Sequence, residues 1–281
     1  MKYTLLFLLI CNVSIAQIHL PELSPEAHAV EQVGYTRFMI RYGRPAARGR
    51  KIMGELVPYK TLWRTGAGRC SLIGFDQPVM INNKTIAAGT YALVTIPDEN
   101  EWTILLNSDT AKIYGAPYEY DKKNEVIAFR VTPGKSDQFY ESLTLSLDII
   151  QYDAIFRLAW ENTTISFPIK TLSYEKAKAE IASAIQANPG DPERLAQAAW
   201  FYYMNNDNPQ QILAWLNEAL KQGDDRWVLE QRFDVLIRMK DYNEATKTGN
   251  RAITFLKTTK PESWENEVKE YEEKMKQFPK K

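Results

Sequence analysis

The chain has 281 residues, and its 35 lysines and arginines are balanced by 35 aspartates and glutamates. That length allows two domains with a core each, and an apolar share of 44% excludes a disordered chain. Net neutrality excludes a general nucleic-acid binder, which needs a basic face.

Residues 1–16 have the three-part layout of a secretory signal. Lys2 supplies the positive start, "YTLLFLLIC" the apolar run, and "SIA" the small residues before cleavage at Gln17. The run falls far short of the ~20 residues that span a bilayer, so no transmembrane segment is expected. Bulky Ile10 ahead of Cys11 argues against a lipid anchor there. Cleavage would leave Cys70 as the single cysteine, with no internal disulfide. The two histidines, His19 and His28, lie near the mature N-terminus, so Cys70 reads as a small apolar filler rather than an activated nucleophile. No metal-ligand spacing, phosphate loop or nucleophile elbow appears, and no cofactor or metal is expected.

Residues 17–170 have the signature of a β domain. "YTRFMIRY" alternates, with Phe38, Ile40 and Tyr42 on one face and Arg37, Met39 and Arg41 on the other. "VMI", a turn at Asn82-Asn83 and a strand after Gly89 follow, and then a hairpin around Asp98, Glu99 and Asn100. Further strands are expected at "EVIAFRVT", "SLTLSLDIIQY", "AIFRLAWE" and "TISFPI". Turn signals at about ten-residue spacing predict an antiparallel β-sandwich or barrel of roughly eight to ten strands.

Residues 171–281 change to a helical period. Ser173 is placed to cap a first helix beginning "SYEKAKAEIASAIQ". "NPQQILAWLNEALKQ" from Asn208 and "DYNEATKTGNRAITF" from Asp241 superpose at an offset of 33 residues, matching Ala219 with Ala252 and Leu220 with Ile253. That offset is close to the ~34 of a tetratricopeptide unit. A small tetratricopeptide-like α-helical domain is therefore expected after the β-sandwich, ending in a frayed "KEYEEKMKQFPKK". Such repeats present a concave face, which suits a protein or peptide partner.

The segment from Arg41 to Cys70 holds six arginines, two lysines and one acid, Glu55. Its prolines and glycines forbid a regular helix, while Ile52, Met53, Leu56, Val57, Leu62 and Trp63 predict an ordered loop folded across an end or edge of the sandwich. Two roles are open. Arg44, Arg48, Arg50 and Arg64 can converge on an anionic small molecule or glycan, with Thr65 and Gly66 offering backbone N–H groups and Tyr42 and Trp63 offering flat faces. Alternatively, the arginines brace the loop against carboxylates such as Asp76, Asp148 or Glu161. Trp63 with Trp102 would serve a carbohydrate-binding module, and Glu119, Asp121, Asp148 and Glu161 are the acids a glycan-processing enzyme could use. The tyrosine-rich "AKIYGAPYEYDKK" reads as loop packing more readily than as a contact surface.

"SPEAHAVEQVGYTRFMIRYGRP", "GRKIMGELVPYKTLWRTGAG", "IAAGTYALVTIP" and "EWTILLN" together resemble a family of secreted bacterial proteins catalogued as a domain of unknown function. The resemblance covers about Ser24 to Ile169; this chain has Gly68, Arg69 and Cys70 where the family more often shows an Asn-Glu-Ala type of run. It implies a β-rich envelope domain, often followed by helical repeats, with no established activity. The expectation is thus a protein exported across the inner membrane, periplasmic or extracellular. It is read as a non-enzymatic binding or scaffolding protein with the arginine loop as its ligand or partner surface. The alternatives are an enzyme acting on an envelope glycan or anionic small molecule, and a carbohydrate-binding module.

Overall fold

A computed structural model of the chain describes residues 21–111 and 120–279, so the candidate signal lies outside the described residues. The chain divides into two compact units, Met1–Tyr174 and Glu175–Lys281.

The first unit is an antiparallel β-sandwich. Its strands are β1 (Glu26–Val33), β2 (Thr36–Gly43), β3 (Ser71–Phe75), β4 (Val79–Ile81), β5 (Lys84–Ile86), β6 (Gly89–Ile96), β7 (Trp102–Asn107), β8 (Glu125–Val131), β9 (Gly134–Ile150) and β10 (Asp153–Thr171). Among the described residues they form a six-stranded sheet, β1-β2-β3-β6-β7-β8, and a four-stranded sheet, β5-β4-β10-β9. The alternation in β2 is realised: Phe38, Ile40 and Tyr42 are buried while Arg37 is exposed. They meet Leu143, Leu145, Phe156, Leu158 and Ile169 of the other sheet in one shared core. Each such fully buried side chain contributes roughly 1.5–3 kcal/mol. Asn82 and Asn83 both have positive φ, at 46° and 61°, which sets the two-residue turn between β4 and β5.

Three differences from the sequence expectation have local causes. "SLIGF" forms β3 although it does not alternate, because all five residues are buried. β1 forms at a sheet edge from "EAHAVEQV", whose inward positions include small alanines. "AIFRLAWE" and "TISFPI" are one strand, β10; the polar stretch between them is absorbed by register shifts around Glu161, whose φ is 51°.

The second unit is helical. Its helices are α1 (Ser173–Ala187), whose first two residues belong to the first unit, α2 (Pro192–Met204), α3 (Pro209–Ala219), α4 (Arg226–Arg238), α5 (Tyr242–Thr259) and α6 (Trp264–Lys276). The starts of α2 and α4 are 34 positions apart, and those of α3 and α5 are 33 apart. Within each repeat the helices pack in sequence, α2 on α3 and α4 on α5, as tetratricopeptide-like pairs do. Asp191, Asn208, Asp225 and Asp241 cap the four helices by accepting first-turn N–H groups, each such cap contributing about 1 kcal/mol. Leu195, Leu216, Leu229, Phe233, Ala245 and Leu256 are central to the core. Ser173 is the first residue of α1, and its hydroxyl accepts from Tyr35 N at 2.9 Å. The last segment does not simply fray, since Phe278 packs on Phe233 and Tyr242.

Candidate functional site

The arginine loop, residues 44–70, is ordered and works as a strap on the sandwich. At one end Ala47 N donates to Glu141 O at 2.7 Å and Leu143 N donates to Pro45 O at 2.9 Å. The loop thus covers the outer edge of β9, which would otherwise present an open row of backbone groups. At the other end Trp63 and Thr95 exchange backbone hydrogen bonds of 2.7 and 2.9 Å. Ser71 pairs with Leu93 two residues earlier on β6, so Trp63 continues the β3 ladder after an excursion through Arg64–Cys70. Between the ends, Ile52, Met53 and Val57 sink into the core, whereas Leu56 stays exposed.

The guanidinium groups of Arg44, Arg48 and Arg50 are held by main-chain carbonyls rather than by the carboxylates expected to brace them. Arg44 Nε donates to Leu143 O at 3.2 Å, Arg48 donates to Leu23 O, and Arg50 donates to Ala47 O at 3.0 Å and Ala46 O at 2.8 Å. Two of those acids are engaged away from the loop, and the third, Glu161, holds the loop backbone rather than an arginine. Asp76 accepts from Arg37 N, Asp148 pairs with Arg157 at 2.6 Å, and Glu161 accepts from Ile52 N at 3.2 Å. The guanidinium groups therefore brace the loop through main-chain carbonyls. All three arginines are exposed, and a carbonyl leaves their charge unneutralised. Arg64 is half-buried, with its carbonyl accepting from Ser71 N at 3.1 Å.

The flat faces and the small-residue turn are interior. Tyr42 is 5% exposed, and its hydroxyl accepts from Leu145 N at 3.1 Å. Trp102 is 1% exposed and meets Trp63 edge-on at 6.2 Å; Trp63 also stacks on buried Trp160 at 5.9 Å. Trp102 is a core ring, and Trp63 is half-buried against that core. Thr65 and Gly66 are buried too, with the Thr65 hydroxyl 3.1 Å from that of Thr95. A Cβ on Gly43 would stand 2.1 Å from Ala67 O, so this turn is a close backbone crossing. Burial raises the pKa of the Cys70 thiol, consistent with a packing role.

Of the acids considered for catalysis, Asp121 caps a 3-10 turn by accepting from Lys123 N, and Glu119 lies outside the described residues with Tyr114 and Tyr118. The Tyr120 hydroxyl donates to Glu125 at 2.8 Å. Among the described residues, no group of His, Cys, Asp and Glu is arranged to hold a metal ion, and no helix is long and apolar enough to cross a membrane.

The helical unit carries a cluster of aromatic rings with two exposed tryptophans. Trp200 of α2 stacks on Tyr203 at 6.0 Å and lies 6.4 Å from Trp227 of α4. Trp200 is 43% exposed and Trp227 38%. The Arg238 guanidinium sits 3.6 Å over the Tyr203 ring and donates to Tyr203 O at 2.8 Å. Beside Trp227 is a cavity of about 640 Å3, lined by Asp191, Glu193, Asp224, Asp225 and Gln222 among others. Arg194 pairs with Asp191 and Arg251 with Asp224, and neither arginine lines the cavity. Positions 227 and 238 of α4 both face α2, and Gln231 is on the stripe between them. Gln231 is 3% exposed, and its amide has no hydrogen-bond partner among the described residues.

A family model described as "Protein of unknown function (DUF2911)" matches residues 24–169, more than half of the chain. The chain belongs to that family. No curated protein and no solved structure matches it. The DUF2911 match ends two residues short of the end of β10, so it takes in the arginine strap and both sheets. The aromatic surface of α2 and α4 falls outside it. Sequence reasoning missed this surface; its one local signal is the three-residue spacing of Trp200 and Tyr203, which puts both on one side of a helix.

Proposed function

We propose that the protein is a non-enzymatic binding protein of the bacterial envelope, exported across the inner membrane, whose helical unit docks a partner protein. The observation that carries this reading is the pair of exposed rings Trp200 and Trp227, backed by half-buried Tyr203, which present apolar area at low entropic cost. The adjoining acid-lined cavity favours a partner segment with lysine or arginine next to an apolar side chain. The helix N-termini at Asp191 and Asp225 offset part of that negative charge without reversing it. Export is supported by the charged, apolar and small-residue sequence of positions 1–16.

Selection from a displayed random-peptide library against the mature protein tests the docking reading. Enriched peptides should combine a basic with an apolar residue and lose at least tenfold in affinity toward Trp200→Ala and Trp227→Ala. Peptides lacking basic residues, or binding both variants as well as wild type, overturn it. The mass of the protein recovered from its native host tests export: it should begin at Gln17.

A second reading rests on the exposed arginines. Because Arg44, Arg48 and Arg50 bond carbonyls rather than carboxylates, their edge of the sandwich keeps a positive field that suits an anionic glycan. Binding of a sulfated oligosaccharide, lost in the triple glutamine variant, would favour that surface over the helical one.

A further inference from the structure

Arg232 lies five residues beyond Trp227 on α4, about 140° round the helix, so it looks away from the aromatic surface. It borders a cavity of about 300 Å3 between α3, α4 and α5, lined also by Lys221, Glu244, Lys247, Thr248 and Arg251. We propose that this cavity is a binding site for a small organic anion, held through a carboxylate or phosphate group by Arg232, Lys247 and Arg251.

The guanidinium of Arg232 is already held in place. Its side chain is only 17% exposed and donates to Asn217 Oδ1 at 2.8 Å, to the Thr248 hydroxyl and to Glu244 at 3.4 Å. Those contacts use three of its five N–H groups and leave one on each terminal nitrogen. An anion arriving there meets a donor whose rotamer entropy is already lost, which is the condition for tight oxyanion recognition.

The balance of charge favours the same ligand. Four cations line the cavity against one lining carboxylate, Glu244, which Lys247 meets at 2.6 Å and Arg232 at 3.4 Å. Lys221 pairs with Glu218 at 2.6 Å and Arg251 with Asp224 at 2.8 Å, but neither acid borders the cavity. The carbonyl end of α3 attracts the same cations, and it is a fractional charge set against whole ones. Leu220 and Leu229 provide an apolar floor, and the volume exceeds that of a bare phosphate, so the ligand has a carbon skeleton.

The test is calorimetric titration of the whole mature protein with sodium phosphate, sodium citrate and sodium acetate, each against sodium chloride at matched ionic strength. Saturable binding of phosphate or of a carboxylate is expected, and whichever binds more tightly assigns the head group. Lys247→Gln and Arg251→Gln, both at exposed positions, should each weaken it at least fivefold while leaving far-UV circular dichroism unchanged. Arg232→Lys, which keeps the charge and loses the fork, should weaken it at least tenfold. Heats no larger than those of chloride overturn the proposal, and so does binding that the Lys247→Gln/Arg251→Gln double variant retains at wild-type strength. Neither result bears on Trp200 and Trp227, so failure here is separable from failure of the docking surface.

Discussion

Trp63 of the long loop stacks on Trp160 of β10, with ring centroids 5.9 Å apart and planes 21° from parallel. With Trp102 set edge-on to the same ring, the contact ties the loop to both sheets. Trp63→Ala removes the ring on which that arrangement turns and should cost about 3 kcal/mol of stability. Urea unfolding followed by tryptophan emission measures it. A loss below about 1 kcal/mol would mean that the loop is held by its backbone bonds alone.

Arg50 holds Ala46 and Ala47 by their carbonyls from an exposed position. Arg50→Ala should therefore cost about 1–2 kcal/mol, below the 3–5 kcal/mol of breaking a buried ion pair. For the β unit, about 150 residues, this is a fall in Tm of about 3–6 °C, read by scanning calorimetry.

The Gln231 amide is buried without a partner among the described residues, an arrangement that costs roughly 1–3 kcal/mol relative to a matched or apolar group. Gln231→Met keeps the volume and should raise stability by about 1 kcal/mol in denaturant unfolding. A destabilised variant would show that the amide is matched in solution.

Glu230 adds a pH dependence. Glu230 is exposed at the surface, yet partial desolvation of its carboxyl, followed by the charge of Asp234, raises its pKa, and Lys274 and Arg226 compensate only in part. The native state then holds this proton more tightly than the unfolded chain, so stability falls as pH rises from the ordinary carboxylate value through the raised one. Glu230→Gln should flatten that part of the curve and leave the variant the more stable protein at neutral pH. Unfolding free energies measured between about pH 4 and pH 8 check the sign.

The sandwich and its helical appendix were legible because their periods were. β2 alternates since only one of its faces is buried, and α3 and α5 repeat since each packs against an equivalent neighbour. α4 escaped notice because "RWVLEQRFDVLIR" mixes charges through its apolar stripe, and its cap at Asp225 was the better clue. The arginines were conspicuous by number, yet their acceptors were not. A main-chain carbonyl belongs to every residue, so no pattern of side chains could reveal that Leu143, Leu23 and Ala46 would receive them. Tyr42 and Trp102 were misread for a related reason: an aromatic ring looks the same in sequence whether it faces solvent or a second sheet.

Val79 of β4 pairs with Thr171 at the very end of β10, 92 positions later. The smaller sheet joins the middle of the β unit to its last strand, so it cannot close until that strand has emerged from the ribosome. Closing so wide a span is entropically slow, whereas the helices that follow gain their contacts from near neighbours. On contact order the N-terminal unit is expected to be the slower folder of the two, although it is made first.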